Sequence, residues 1–246
     1  MTEFNHPRRV YLVMETVTAL AFALAFTLQG LYFVQTVGLS PLQLLLIGAS
    51  LEFWALSALI GYQLCLQHPQ RVASYVALGP HPFVTFDPRM LPGMWRLWFQ
   101  YAVATPGLDP HFLGKGQQRL ARYLFTAHTA RPEQWTDAEL EPFLALLREP
   151  ARARAASALY RGFILREVAF IMSGWYRKKR RTTPTAVLHG NQDASIPAAF
   201  LGGYENYAPN MTLHIVDGAA HYLADERPET ITAEALRLFA AHPVSA

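Results

Sequence analysis

The chain has 246 residues, of which 52% are hydrophobic and only 16% charged. That length suits one large domain or two small ones, and the scarcity of charge excludes disorder, a coiled coil or a collagen-like fibre as the main class. The net charge is +3 and Cys65 is the sole cysteine, which excludes an intramolecular disulfide, a cysteine-rich zinc site and a disulfide-stapled secreted scaffold.

The apolar residues are concentrated at the start. Between Arg9 and Arg71 the only Asp, Glu, Lys or Arg residues are Glu15 and Glu52. Such a run exceeds the roughly 20 apolar residues that cross a bilayer. Gly38, Ser40 and Pro41 interrupt it, which predicts two segments, about Val10–Val37 and Pro41–Leu59. Arg8 and Arg9 before the first segment place the N-terminus in the cytoplasm by the positive-inside rule, and a two-span hairpin returns the rest of the chain there. The expected location is the membrane, with the C-terminal part cytoplasmic. The alternative is a cytoplasmic chain in which Trp54–Leu66 forms a buried helix of a soluble domain. A cleaved signal peptide fits less well, because the run outlasts a typical apolar core of about 7–15 residues and no small-x-small site closes it.

From Arg71 onward the pattern is globular. Val72–Leu78 is a short β-branched run that reads as a buried strand and ends at Pro80-His81-Pro82. Residues 84–180 carry leucine and aromatic stripes at helical spacing, at Met94–Phe99, Leu140–Leu147 and Ala155–Glu167. Thr136-Asp137-Ala138-Glu139 gives a helix start with acids in its first turn. Thr185–His189 and Met211–Val216 are two further strands, and Pro228–Ala241 is a terminal amphipathic helix. Strands alternating with helices predict an α/β fold with a parallel sheet.

Two residues carry chemistry at the predicted strand ends. Asp193 follows one strand in Gly190-Asn191-Gln192-Asp193, and His221 follows the next in Gly218-Ala219-Ala220-His221. Catalytic groups of open α/β sheets gather at the carboxyl ends of strands. There an acid fixes the imidazole tautomer, and the histidine serves as general base. The alternative is two solvated loop residues. The run Arg177-Lys178-Lys179-Arg180-Arg181 either meets anionic lipid headgroups or is a solvated linker. It lacks the basic face and recognisable fold of a nucleic-acid binder, so no nucleic-acid partner is expected. The histidines show no metal spacing, and no cofactor motif is present.

These pieces resemble a family. Leu66-Gln67-His68-Pro69-Gln70-Arg71-Val72, Gly79-Pro80-His81-Pro82, Pro184–Asp193, Asp217–Tyr222 and Ala224-Asp225-Glu226-Arg227-Pro228-Glu229 are similar to the C-terminal part of an α/β-hydrolase, closest to the epoxide hydrolase and haloalkane dehalogenase branch. The resemblance implies a partial α/β-hydrolase fold with a helical cap, preceded by apolar helices. Its core is 53–83 with 182–246, its cap is 84–181, and 1–52 is a separate apolar segment, a transmembrane hairpin if it spans. It also implies that Asp193 is the acid and His221 the base of a catalytic triad acting on a small apolar substrate. Leu159-Tyr160-Arg161 resembles the cap motif whose tyrosine polarises an epoxide oxygen, which makes Tyr160 the third candidate.

The same resemblance exposes a loss. Counting back from His68, the family's nucleophile position falls on Ala55. The local sequence Phe53-Trp54-Ala55-Leu56-Ser57-Ala58-Leu59 is not a glycine-x-nucleophile-x-glycine elbow. Alanine cannot attack carbon, and Ser57 replaces it only if the turn is rebuilt. The oxyanion-hole segment that the family places earlier is absent. Residues 1–52 resemble instead the start of a major facilitator transporter, through Arg8–Glu15, Gln29–Phe33 and Leu39-Ser40-Pro41. The expectation is a hydrolase-like protein with impaired catalysis, or a non-enzymatic membrane-associated fusion.

Overall fold

Helix α1 spans Phe53–Gln67 in the computed structural model of the chain, which describes residues 53–84, 87–107 and 113–243. All of these lie in the unit Ala49–Ala246. Ala58, Leu59, Tyr62 and Cys65 share one face of α1 at helical spacing and are buried, while Ile60 and Leu64 face solvent. The helix gives way at His68, because Pro69 opens a tight 3-10 turn over Pro69–Arg71. That turn shortens the expected strand, and β1 is only Tyr75–Leu78. Gly61 explains the close packing of the two elements, since a Cβ there would lie 2.4 Å from the Tyr75 ring. The Tyr75 hydroxyl reaches past it to donate to Ala58 O at 2.9 Å.

The second expected apolar segment is corrected by this helix. Its end, residues 53–59, belongs to α1, in which Ala58 and Leu59 pack into the domain core. Among the described residues no helix is long and apolar enough to cross a membrane. The first segment, the transporter resemblance and the rest of residues 1–52 lie outside the described residues.

The sheet adds β2, Thr185–Gly190, and β3, Met211–Val216. All strands are parallel, in the order β1-β2-β3, with Tyr75, Thr185 and Met211 in register. Central β2 is buried at every position, its Ala186-Val187-Leu188 centre as a two-sided parallel strand requires, and its Thr185 and His189 side chains with hydrogen-bond partners. Among the described residues β1 pairs only with β2, so the strands that would complete a larger sheet on that side are not seen there.

The long insert between β1 and β2 is helical: α2 Leu91–Met94, α3 Trp98–Ala104, α4 Arg119–Ala127, α5 Asp137–Arg148, α6 Pro150–Gly162 and α7 Val168–Met172. A π-helical turn over Phe163–Glu167 joins the last two. The Thr136 hydroxyl caps α5 by accepting from Glu139 N at 3.3 Å, as its sequence predicted. Phe99, Leu124, Phe125, Leu144 and Tyr160 form this insert's own core, and Tyr222 enters it from the sheet side. Burying each such side chain contributes about 1.5–3 kcal/mol before entropy is counted. Two helices close the domain, α8 Leu223–Glu226 and α9 Pro228–Ala241.

The basic run divides. Lys178, Lys179 and Arg180 are exposed, but Arg181 is 1% exposed. Its guanidinium lies over the rings of Tyr62 and Tyr75, at 4.6 and 5.4 Å, and Nη2 donates to the Thr185 hydroxyl. Arg181 is therefore a core residue rather than part of a solvated linker.

Candidate active site

The parallel register brings the carboxyl ends of β2 and β3 side by side, and the loops that follow are laced together. Asn191 N donates to Val216 O at 3.1 Å and Gln192 N to Ala219 O at 2.9 Å. The Asn191 side chain donates to Asp217 Oδ1 and accepts from Gly218 N, both at 3.0 Å. Gly190 lets the loops touch, because a Cβ there would stand 2.3 Å from Ala219 O.

This lacing brings Asp193 and His221 together. His221 Nδ1 lies 3.0 Å from Asp193 Oδ2, and only 2% of the Asp193 side chain is exposed. The other carboxylate oxygen accepts from Ser195 N at 2.8 Å and from the Ser195 hydroxyl at 2.5 Å. Burial acts to raise the Asp193 pKa, but the charge and hydrogen bond of His221, with His189 and Ser195, outweigh it. The carboxyl is held well below the usual range. An ionised Asp193 accepts from Nδ1–H, so Nε2 is the nitrogen that takes a proton in a general-base step.

Around the pair sit histidines that burial keeps neutral. His81 is lowered to about 4 chiefly by burial, and His189 is lowered for the same reason. His81 Nε2–H donates to Leu201 O at 2.6 Å, while Nδ1 accepts from Phe83 N at 3.3 Å. Both nitrogens are thus used by the neutral tautomer. His189 Nε2 reaches Ile196 O at 2.9 Å, which ties β2 to the loop beyond Asp193.

Sequence reasoning missed two residues of the site. His128 follows α4, and its ring stands 6.1 Å from that of His221. Its carbonyl accepts from His221 N at 3.0 Å. Glu226 is 3% exposed. It accepts from Thr129 Oγ1 and Ala130 N, both at 2.6 Å, and from Ala220 N at 2.5 Å. One carboxylate therefore staples the helical insert to the His221 loop. Glu226 lay within the family-like run Ala224–Glu229, where a signal existed. His128 is a lone histidine in an irregular stretch, and no local pattern marks it.

Tyr160 lies on α6 within the insert core and is 8% exposed. A row of rings leads from it to the pair: Tyr160 to Phe99 at 6.3 Å, Phe99 to His128 at 5.2 Å, then His221. Ala55 and Ser57 both lie inside α1, which begins at Phe53 among the described residues. Among the described residues no group of three or more His, Cys, Asp or Glu side chains is placed to hold a metal ion.

Comparison with known proteins agrees with this layout. Among solved structures, wild-type Cfl2 from Burkholderia cenocepacia matches with 20% identity and a TM-score of 0.60, over 74% of this chain and 62% of that one. A putative epoxide hydrolase from Pseudomonas aeruginosa matches with 22% identity and a TM-score of 0.59, over 75% and 62%. Epoxide hydrolase I of potato, Solanum tuberosum, gives 20% and 0.57, over 75% and 67%. The chain thus spans less than two thirds of the length of the first two, and at these identities the likeness is one of fold. No functionally curated protein matches. The family model for the α/β hydrolase fold matches residues 56–228, well over half of the sequence and all of the strand-end geometry above, so the chain belongs to the α/β hydrolase fold family.

Proposed function

We propose that the protein is an epoxide hydrolase-type α/β-hydrolase that keeps the acid–base half of its machinery and lacks the covalent half. The observation that carries this reading is the 3.0 Å contact between His221 Nδ1 and Asp193 in a chain with alanine at the nucleophile position. In the intact scheme an aspartate opens the substrate as an alkyl–enzyme ester, and water activated by the histidine hydrolyses the ester. With Ala55 the first step has no attacking atom. What remains is direct hydrolysis. His221 Nε2 takes a proton from water, the water oxygen bonds to the electrophilic carbon, and the carbon–oxygen bond of the substrate breaks. The departing oxygen then takes up a proton, and Tyr160 assists if its hydroxyl reaches that oxygen. General-base assistance is worth roughly 10²–10⁴-fold. A missing oxyanion donor forfeits about 3–4 kcal/mol.

The test is turnover of a panel of small epoxides and esters by the full chain, beside His221→Ala and Ala55→Asp. Slow turnover without an ester intermediate is expected, falling at least about 100-fold in His221→Ala. Ala55→Asp is expected to raise epoxide turnover. Equal rates in wild type and His221→Ala, with folding confirmed, would sink the catalytic reading. Ala55 favours a second reading in that event, a non-enzymatic protein retaining the hydrolase architecture.

The proposal includes membrane attachment through residues 1–52, on the strength of their uncharged apolar run and transporter-like sequence. Recovery of the full chain from the soluble fraction without detergent excludes it.

A further inference from the structure

His128 is 7% exposed, and its Nε2 has no hydrogen-bond partner among the described residues. Buried polar nitrogens in folded proteins are nearly always satisfied, and each exception calls for a reason. The surroundings supply one. The ring is boxed by Phe99 at 5.2 Å, Tyr123 at 6.5 Å and His221 at 6.1 Å, and so stands between the insert and the acid–base pair. Its backbone is fixed from both sides. The carbonyl of His128 takes the His221 N–H, and the next two residues are held by Glu226. A histidine clamped this firmly beside the base, with its buried Nε2 uncommitted among the described residues, is arranged to meet a ligand rather than to fill space.

We infer that His128 is a ligand-contacting residue, and that its Nε2 makes the cap-side hydrogen bond to the oxygen of an uncharged, largely apolar substrate held against His221. The inference rests on the reading of Asp193 and His221 as the acid–base pair, and it adds the class of ligand and the group that recognises it. Burial, then the neighbouring His221, hold His128 at about 4 against the opposite pull of Asp193, so the ring is neutral at pH 7. It offers a hydrogen bond and no charge. A carboxylate ligand would find no counter-charge in it, and would face the ionised Asp193 behind His221. The apolar walls come from Phe99 and Tyr123. An epoxide, ester or amide oxygen suits this setting, and an anion does not.

The experiment uses the full chain labelled with ¹⁵N in its histidine rings and two probes of matched shape, phenylacetamide and phenylacetate. The amide is expected to bind and to move the ring signals of both His128 and His221, with phenylacetate at least about tenfold weaker. His128→Phe keeps the ring and removes the nitrogen, and should weaken the amide about tenfold. His128→Gln restores a hydrogen-bonding group at similar reach and should stay within about threefold of wild type. The ring shifts of the unmutated protein serve even if a variant folds poorly. The inference fails if His128→Phe binds the amide as wild type does, if phenylacetate binds better, or if neither probe binds. Amide binding that moves His221 but not His128 overturns the inference alone. Binding that moves neither ring removes the ligand site from the acid–base pair altogether. Turnover lost in His221→Ala remains the separate measure of the catalytic reading.

Discussion

Lowering the pH from 7 to 5 is expected to remove about 4 kcal/mol of folding stability, a large part of the 5–15 kcal/mol that holds a typical domain together. The loss comes from histidines that the fold keeps neutral. His81 and His128 are each lowered to about 4, first by burial. In the unfolded chain a histidine titrates near 6.5. Their contribution is therefore complete above the unfolded value and disappears as the pH falls from about 6.5 towards 4. Each accounts for about 2 kcal/mol of stability lost by pH 5 through this linkage. The geometry of His81 gives the reason. Its Nε2 already donates to Leu201 O, and its Nδ1 accepts from Phe83 N, so a second ring proton would set donor against donor. His189 is lowered too and adds to the loss. Asp225 acts in the opposite sense. Burial and Glu226 raise it to about 6, so protonation relieves a cost as the pH falls. Asp225 is nevertheless exposed to solvent, and screening keeps that relief small. Urea denaturation at pH 7, 6 and 5 measures the total. The profile of His81→Gln should be flatter by about 2 kcal/mol over the same range. A stability that holds level from pH 7 to 5 would show that these rings titrate normally.

Much of this arrangement was legible in the sequence, for reasons that differ from element to element. Met211–Val216 and Pro228–Ala241 fall at the expected boundaries because their ends are marked by Asp217-Gly218 and by Pro228. Asp193 and His221 were legible because a parallel sheet places successive strand ends together. Strand β1 was overestimated at its start, since Val72 looks like strand but is drawn into the turn set by Pro69. Arg181 was misread within a run of like charges. Only packing shows that two tyrosine rings from α1 and β1 receive it. The apolar stretch through Leu59 was ambiguous in principle, because a buried helix and the end of a membrane span share the same composition. Tyr75 and Gly61, outside any hydropathy count, resolve its last part in favour of the core. His128 was invisible for a deeper reason. Its placement depends on contacts with Phe99 and His221 and on the hold of Glu226 on the two residues after it, partners far apart along the chain, and nothing within a few residues of it encodes them.

Gly190→Ala is expected to cost about 3 kcal/mol and to break the acid–base pair while leaving both of its members in place. The added Cβ would stand 2.3 Å from Ala219 O, 2.4 Å from Ala220 O and 2.6 Å from Ala219 C. These are backbone atoms, so no side-chain rotation relieves the overlap, and either β2 or the His221 loop has to move. The loop is tied at several points. Gln192 N holds Ala219 O, Asn191 holds Asp217 and Gly218, and Glu226 holds Ala220 N. A shift of the loop therefore loosens the lacing as a whole and carries His221 with it. The 3.0 Å contact to Asp193 Oδ2 has little slack, since a separation beyond about 3.5 Å no longer counts as a hydrogen bond. Two measurements separate the consequences. Denaturation gives the lost stability, and the downfield signal of the His221 ring N–H reports whether Nδ1 still faces the carboxylate. A variant that keeps the signal while losing stability places the movement in β2. One that keeps both shows that the close approach at Gly190 is not what holds the pair. Loss of both is the expected result, and it makes this glycine, which has no functional atom of its own, the residue on which the alignment of Asp193 with His221 depends.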